Sequence, residues 1–484
     1  MFVRIREAVK LWAPRGRARV VAGVLLVAIA MVLAHHVLHQ LTRTQAPGMW
    51  HDSLTFNDIA AQPLSLAHLF YPKPFVAPFV ERLVGEPPAI ARFQIALDFC
   101  AWATLAVALV LALRTWRARA IGVIACGAFV LAPVRVGFMT IIASEPIDDA
   151  LRTFAIALAV AAVAATPRPM LRNALAVALV VVTAAWIFTR DTNAIIALAA
   201  IALCARRLRG MRWAIASAAA IGIAAVVSIW SSQVVPRQPL GIQLTEGWAP
   251  ESTRRGAFAL VDDFMIRVMP DPDARKRAIA DGMPWSPELE QFVGTGAYGS
   301  FLSEARYAPT RDWIFAHGTT TYVGWLARHP IARINEVVGF ASNILTPQDM
   351  GPYYMRTGWR GNDYGGALMK TFRTLTESSA IVLALVICVP LAWRRVRAHP
   401  LAPAIAVLAW SAVIGVFAAY YGDAMEMVRH AWGASQQLIV ALVLAVVVRV
   451  DDGSVPVDGE VGVGGRRARP PPRIRSRSRS AGPV

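Results

Sequence analysis

The chain has 484 residues, 56% of them apolar, with a mean hydropathy of +0.47, and its apolar residues gather into runs of about twenty, the length that crosses a bilayer. That excludes a soluble multidomain protein and predicts an all-α polytopic membrane protein. The net charge of +18 does not imply nucleic acid, because arginine collects beside the ends of the apolar runs and in the two termini, where membrane orientation accounts for it.

A basic stretch before residue 20 leads into an apolar run over 19–40 that resembles a signal peptide but is too long and lacks a small-residue cleavage site, so it is expected to stay as a first span. Ten spans are expected in all, near 19–40, 93–113, 120–142, 150–165, 173–189, 193–205, 212–231, 377–396, 401–421 and 432–450. The short gaps between them alternate in chemistry. Arg114–Arg119, Arg168 with Arg172, Arg206–Arg209 and Arg394–Arg397 are basic; His51-Asp52-Ser53, Ser144-Glu145-Pro146, Arg190-Asp191-Thr192-Asn193 and Asp423 to His430 carry acids. Positive charge in short loops marks the cytoplasmic side, which puts both termini there and the acidic motifs together at the opposite face.

This divides the chain into a basic cytoplasmic N-terminus (1–18), a transmembrane core (19–231) that includes a first outer segment (41–92), a large outer segment (232–376), spans eight to ten (377–450) and a basic tail (451–484). The first outer segment is expected to hold one or two short amphipathic helices. The large one should hold helices near 254–268, 271–281, 311–328 and 330–345, broken at Pro270 and Pro330, and its apolar stretch 333–346 suits docking on the membrane. The Gly-, Pro-, Arg- and Ser-rich tail cannot bury a core and is expected to be disordered. All four cysteines, Cys100, Cys126, Cys204 and Cys388, fall in apolar runs and indicate no disulfide or metal framework.

The acidic motifs are the candidate chemistry. Asp52, with His51 beside it and Asp58 six residues on, could take a proton from an acceptor hydroxyl; alternatively it caps a following helix. Ser144-Glu145-Pro146-Ile147-Asp148-Asp149 sets three carboxylates at the mouth of span four, where acids also suit a helix dipole. Residues 173–205 are tight for two crossings, so Arg190 and Asp191 should lie below the surface, where ionisable groups face a cavity or a partner; a plain Arg190–Asp191 pair capping two helix ends is the simpler account. Asp423, Glu426 and His430, with Arg429, would share one face of a continuing helix, and carboxylates with a cation suit a phosphate-bearing sugar donor.

His51-Asp52-Ser53, Tyr71-Pro72-Lys73-Pro74-Phe75, Glu81-Arg82-Leu83-Val84-Gly85 and Phe93-Gln94 together resemble the first loop of GT-C superfamily membrane glycosyltransferases, the type that uses polyprenyl-phosphate sugars and includes actinobacterial mannosyl- and arabinosyltransferases. Ser144-Glu145-Pro146 resembles that family's acidic second loop. The resemblance implies Asp52 as the catalytic carboxylate. His51, Asp58, Glu145, Asp148, Arg190, Asp191, Asp423, Glu426, Arg429 and His430 would bind donor or acceptor. It implies inverting transfer from a polyprenyl-phosphate sugar to a cell-envelope glycan, lipid or protein, at the outer face of a bacterial plasma membrane. The first loop lacks the Asp-Asp or Asp-Glu pair of better-known members, which leaves a divalent cation open. A transporter or lipid-linked-sugar flippase is the competing expectation, since charged residues in short spans also mark substrate pathways.

Overall fold

The computed structural model describes residues 48–49, 51–71, 73–131, 138–165, 167–208, 211–233, 257–295, 300–345, 399–422 and 427–453. The expected spans at 19–40 and 377–396, Asp423 and Glu426, and the tail beyond 453 lie outside the described residues, as do the side chains of His51, Asp52, Arg429 and His430. Helices account for nearly all the regular structure described. A single parallel pairing, Gly48–Met49 with Ile141–Ile142, is the one strand contact among these residues.

Among the described residues, five helices are long and apolar enough to cross a membrane: Pro87–Ala112, Pro169–Ile187, Arg212–Gln233, Ala402–Gly422 and the Gly433–Asp451 part of Met427–Gly453. Paired prolines open the first at N1 and N2, where a missing N–H costs nothing, and Pro169 opens the second in the same way. The expected spans three, four and six take other forms. Trp116–Leu131 is a helix of 16 residues, and the stretch expected to continue it ends in the Ile141–Ile142 strand. Ser144–Ala164 is a 21-residue helix rather than a short span from 150, because its acids form the first turns of the helix instead of a preceding loop. Asp191–Leu208 has 18 residues, its apolar part being Asp191–Cys204.

The main core joins Pro87–Ala112, Trp116–Leu131, Ser144–Ala164, Ala402–Gly422 and Met427–Gly453, with Trp102 stacked on Phe129 at 4.6 Å. The last two helices cross closely: a methyl group on Gly415 would stand 3.1 Å from the Ala434 Cβ. Small residues permit such an approach, which gives membrane helices their packing energy when lipid offers no hydrophobic contrast. A second core of Trp186, Ile187, Ala194, Ile196, Ala197 and Ala225 binds the three helices between 169 and 233.

The bundle has two chemically different ends. At one, the Asp451 carboxylate accepts from the backbone N–H of Arg114 (2.9 and 3.0 Å) and Thr115 (2.6 Å), with His399 Nε2 at 3.4 Å. These residues adjoin two of the basic gaps. Asp451 is fully buried, and the last helix runs on to Gly453, three residues past the end expected for the last span. At the other end the motifs around 145 and 190 meet beside Gly433.

The first outer segment forms the helices His51–Ala61 and Val76–Val84, with a short 3₁₀ turn at Leu66–Leu69 capped by Ser65. Gly85, at φ +88°, ends the second, a conformation that favours glycine. Phe56, Val76 and Ala77 pack on Ile147 and so fasten this segment to the acidic helix.

The 257–345 segment has its own core around Phe264, Phe292, Phe301, Tyr307 and Ile314. Its helices fall close to the expected places: Ala257–Asp263 continued by one π turn to Val268, then Pro272–Ala280, Ala308–Arg328 and Pro330–Leu345. Asp271 caps the second, accepting from Asp273 N and Ala274 N at 3.1 Å. The segment docks on the end of Ala402–Gly422. The Tyr322 hydroxyl donates to Tyr421 O at 2.8 Å, the Tyr421 hydroxyl donates to Arg333 O at 2.8 Å, and the Arg267 guanidinium lies 3.8 Å from the Tyr420 ring centre.

Candidate functional site

The Ser144–Ala164 helix supplies the centre of the site. Asp148 and Asp149 stand four and three residues before Arg152, spacings that align both with its guanidinium on one helix face. Arg152 donates to Asp149 and lies 3.5 Å from Asp148, and all three are buried. Room for the guanidinium comes from a neighbouring helix: a Cβ on Gly433 would overlap Arg152 Nη1.

The turn between Pro169–Ile187 and Asp191–Leu208 closes on the other side of Asp148. Asn193 donates to Asp148 Oδ1, and its Nδ2 is also 2.8 Å from Trp186 O. The Thr189 hydroxyl lies 3.0 Å from Asp148 and 2.6 Å from Trp186 O, so its single proton is shared between two acceptors. Arg190 turns to Glu145, at 3.6 Å, so the expected Arg190–Asp191 cap is replaced by a bridge between two helices. Asp191 opens the following helix, beside Thr192 and Asn193.

Part of this cluster borders one small cavity of about 50 Å³, open on one side. Asp148, Arg152, Arg190, Thr192 and Asn193 form its polar wall. The opposite wall is made of small residues from the last two helices, among them Gly415, Ala419, Gly422 and Gly433, with Gln437 deeper in. From Gly422 to Gly415 the cavity runs about 10 Å down the helix at 1.5 Å per residue. Ionisable groups at such depth mark function in membrane proteins, and these are paired as the cost of burial demands.

The first outer segment is tied to this end by backbone, hydroxyl and ring contacts. Gly48–Met49 pairs with Ile141–Ile142, immediately before Ser144; the Ser53 hydroxyl donates to Ile142 O; Val76 N donates to Phe188 O at 3.3 Å; and Phe75 packs on Phe188 at 5.4 Å. Gln94, its amide turned to donate, holds Met139 O and Ile141 O at 3.0 Å each. Asp52 lies in the first turn of His51–Ala61, next to the anchored Ser53. Asp58, six residues on, sits about 120° round that helix and does not share its face.

Two of the four acidic motifs thus reach the cavity through their own side chains, and the first is anchored two residues from Ser144. In the fourth, Gly422 lines the cavity beside Asp423. The helix register sets Arg429 and His430 one turn before Gly433 and Ala434. Among the described residues, no three His, Cys, Asp or Glu side chains group as a metal site. Sequence reasoning missed Arg152, Thr189, Gln437 and Gly433. Arg152 could have been found from its spacing to Asp148 and Asp149 inside an apolar span; the others depend on contacts between distant helices. No protein-family model, curated protein or solved structure matches the chain.

Proposed function

We propose that the chain is an integral-membrane glycosyltransferase that moves a sugar from a polyprenyl-phosphate donor to a cell-envelope acceptor at the outer face. The observation that carries this reading is the meeting of Asp148 and two arginines around one open cavity at one end of the bundle, with Asp149 and Glu145 paired to those arginines and the Asp52 helix fastened through Ser53 to Ile142. A donor of this kind keeps its lipid in the bilayer and presents its sugar at the surface, so an enzyme for it needs polar groups at a helix-bundle end within reach of lipid.

In the reaction, an acceptor hydroxyl attacks the anomeric carbon, the bond from that carbon to the phosphate oxygen breaks, and polyprenyl phosphate leaves. Asp52 takes the hydroxyl proton, a step that positioned bases accelerate by about 10²–10⁴. Asp148 and Asn193 hold sugar hydroxyls, while Arg152 and Arg190 exchange a carboxylate for the departing phosphate and offset its charge. Glu145 keeps Arg190 aimed until the donor arrives.

The transporter reading keeps one observation in its favour, the extension of the cavity down the bundle toward Gly415. Purified protein in liposomes containing a labelled polyprenyl-phosphate sugar separates the two. Transfer to acceptor that is lost in Asp52→Asn, with folding retained, supports the enzyme. Unchanged transfer removes Asp52 as the base, and label crossing the bilayer without a new glycosidic bond replaces the enzyme by a flippase.

A further inference from the structure

We propose that the outward face of the Pro330–Leu345 helix is immersed in the acyl chains of the adjoining bilayer leaflet, so that lipid as well as protein holds the 257–345 segment against the bundle. Ile331, Ile334 and Val338 are 74%, 48% and 60% exposed, and their spacing of three and four residues sets them in one stripe. The charged residues of the same helix are turned away. Arg333 lies 3.7 Å from the centre of the Trp325 ring and 3.5 Å from Asp271, and Glu336 pairs with Arg333 beside the Tyr421 hydroxyl.

What covers this stripe follows from what the other side of the helix touches. Val337 is buried in the core shared with Ala402–Gly422 and Met427–Gly453, and Phe340 meets Tyr420 at 5.8 Å. Both partners contain apolar segments long enough to span a membrane, and each has its own exposed apolar side chains, Trp410 on one and Val446 on the other. A helix laid along their flank carries its outer face into the same surroundings. Tyr420, Tyr421 and Trp325 gather at this level, as aromatic residues do at a membrane interface, and the exposed Arg328 and His329 precede the helix where lipid headgroups would lie.

The test is a nitroxide attached at position 331, 334 or 338, one at a time, in full-length protein with its four native cysteines replaced, held as single copies in lipid nanodiscs. Immersion predicts that all three labels are relaxed by oxygen and shielded from a water-soluble nickel chelate, with an accessibility ratio several-fold above that of a label at Arg328. Ratios equal to that of Arg328 mean water on this face and overturn the proposal. A photoreactive benzoylphenylalanine at position 334, in protein with its cysteines intact, gives a second readout in native membranes. Adducts with phospholipid support immersion; adducts with a second copy or another protein, or none with lipid, overturn it. Neither readout depends on sugar transfer.

Discussion

Both ends of the bundle bury carboxylates, yet they hold them differently. Asp451 is gripped chiefly by the main chain: two backbone N–H groups at the start of the Trp116–Leu131 helix point at it, joined by the Thr115 side chain and His399. Main-chain donors cannot leave without unwinding the helix, so this carboxylate is a fixed cap. Asp148 is gripped by side chains, from Arg152, Asn193 and Thr189, and opens onto a cavity. Side-chain partners can swing to a ligand and return. The comparison separates a carboxylate that builds the fold from one that can take part in chemistry, although both are buried and both sit at a helix end.

The largest expected effect comes from removing the cation at the exchangeable end. Arg152→Met leaves Asp148 and Asp149 buried without it and should cost about 3–5 kcal/mol, seen as a fall in unfolding temperature in detergent. A change near zero would mean that water already solvates these acids. Gly433→Ala should cost about 1–3 kcal/mol, because the new methyl occupies the place of the Arg152 guanidinium. Gly324→Ala, in a helix interior where nothing lies within 4 Å, is its control and should gain up to about 1 kcal/mol. At the fixed end, Asp451→Asn weakens bonds from two backbone donors and should cost about 1.5–3 kcal/mol with sugar transfer unaltered. A loss of transfer there would break the distinction.

The smallest effect sharpens the comparison with a third kind of carboxyl. Glu81, in the Val76–Val84 helix, is 5% exposed, and desolvation by burial pushes its pKa up to about 8. The unfolded chain releases this proton near the ordinary carboxylate value of 4.5 while the folded chain keeps it, so stability is fully present below that pH and falls as pH rises toward 8. The slope is at most about 1.4 kcal/mol per pH unit. Denaturant unfolding from pH 5 to 9 should show this decline in the native protein and a flatter profile in Glu81→Gln; equal profiles would mean that Glu81 is solvated or paired.

Much of this was legible in the residues themselves. Pro330 divides the last two helices of the 257–345 segment and Asp271-Pro272 starts another, because each follows from local backbone chemistry. The start of the Ser144–Ala164 helix was misplaced by six residues, since acids read as loop when their buried partners are unknown. Arg190 was expected beside Asp191 and instead crosses to Glu145, a choice made by how two helices pack. The pairing of Gly48–Met49 with Ile141–Ile142 joins segments some ninety residues apart through two residues, too short for any periodic signal. Gly433 gave no sign of its role, which exists only because Arg152 projects from another helix.

The most direct test compares Asp148→Asn with Asp451→Asn in the same liposome assay of transfer from a polyprenyl-phosphate sugar. The account predicts a loss of about 100-fold or more for Asp148→Asn, the scale of removing one preorganised group from a reaction centre, and wild-type transfer for Asp451→Asn. Equal transfer by the two variants would contradict it.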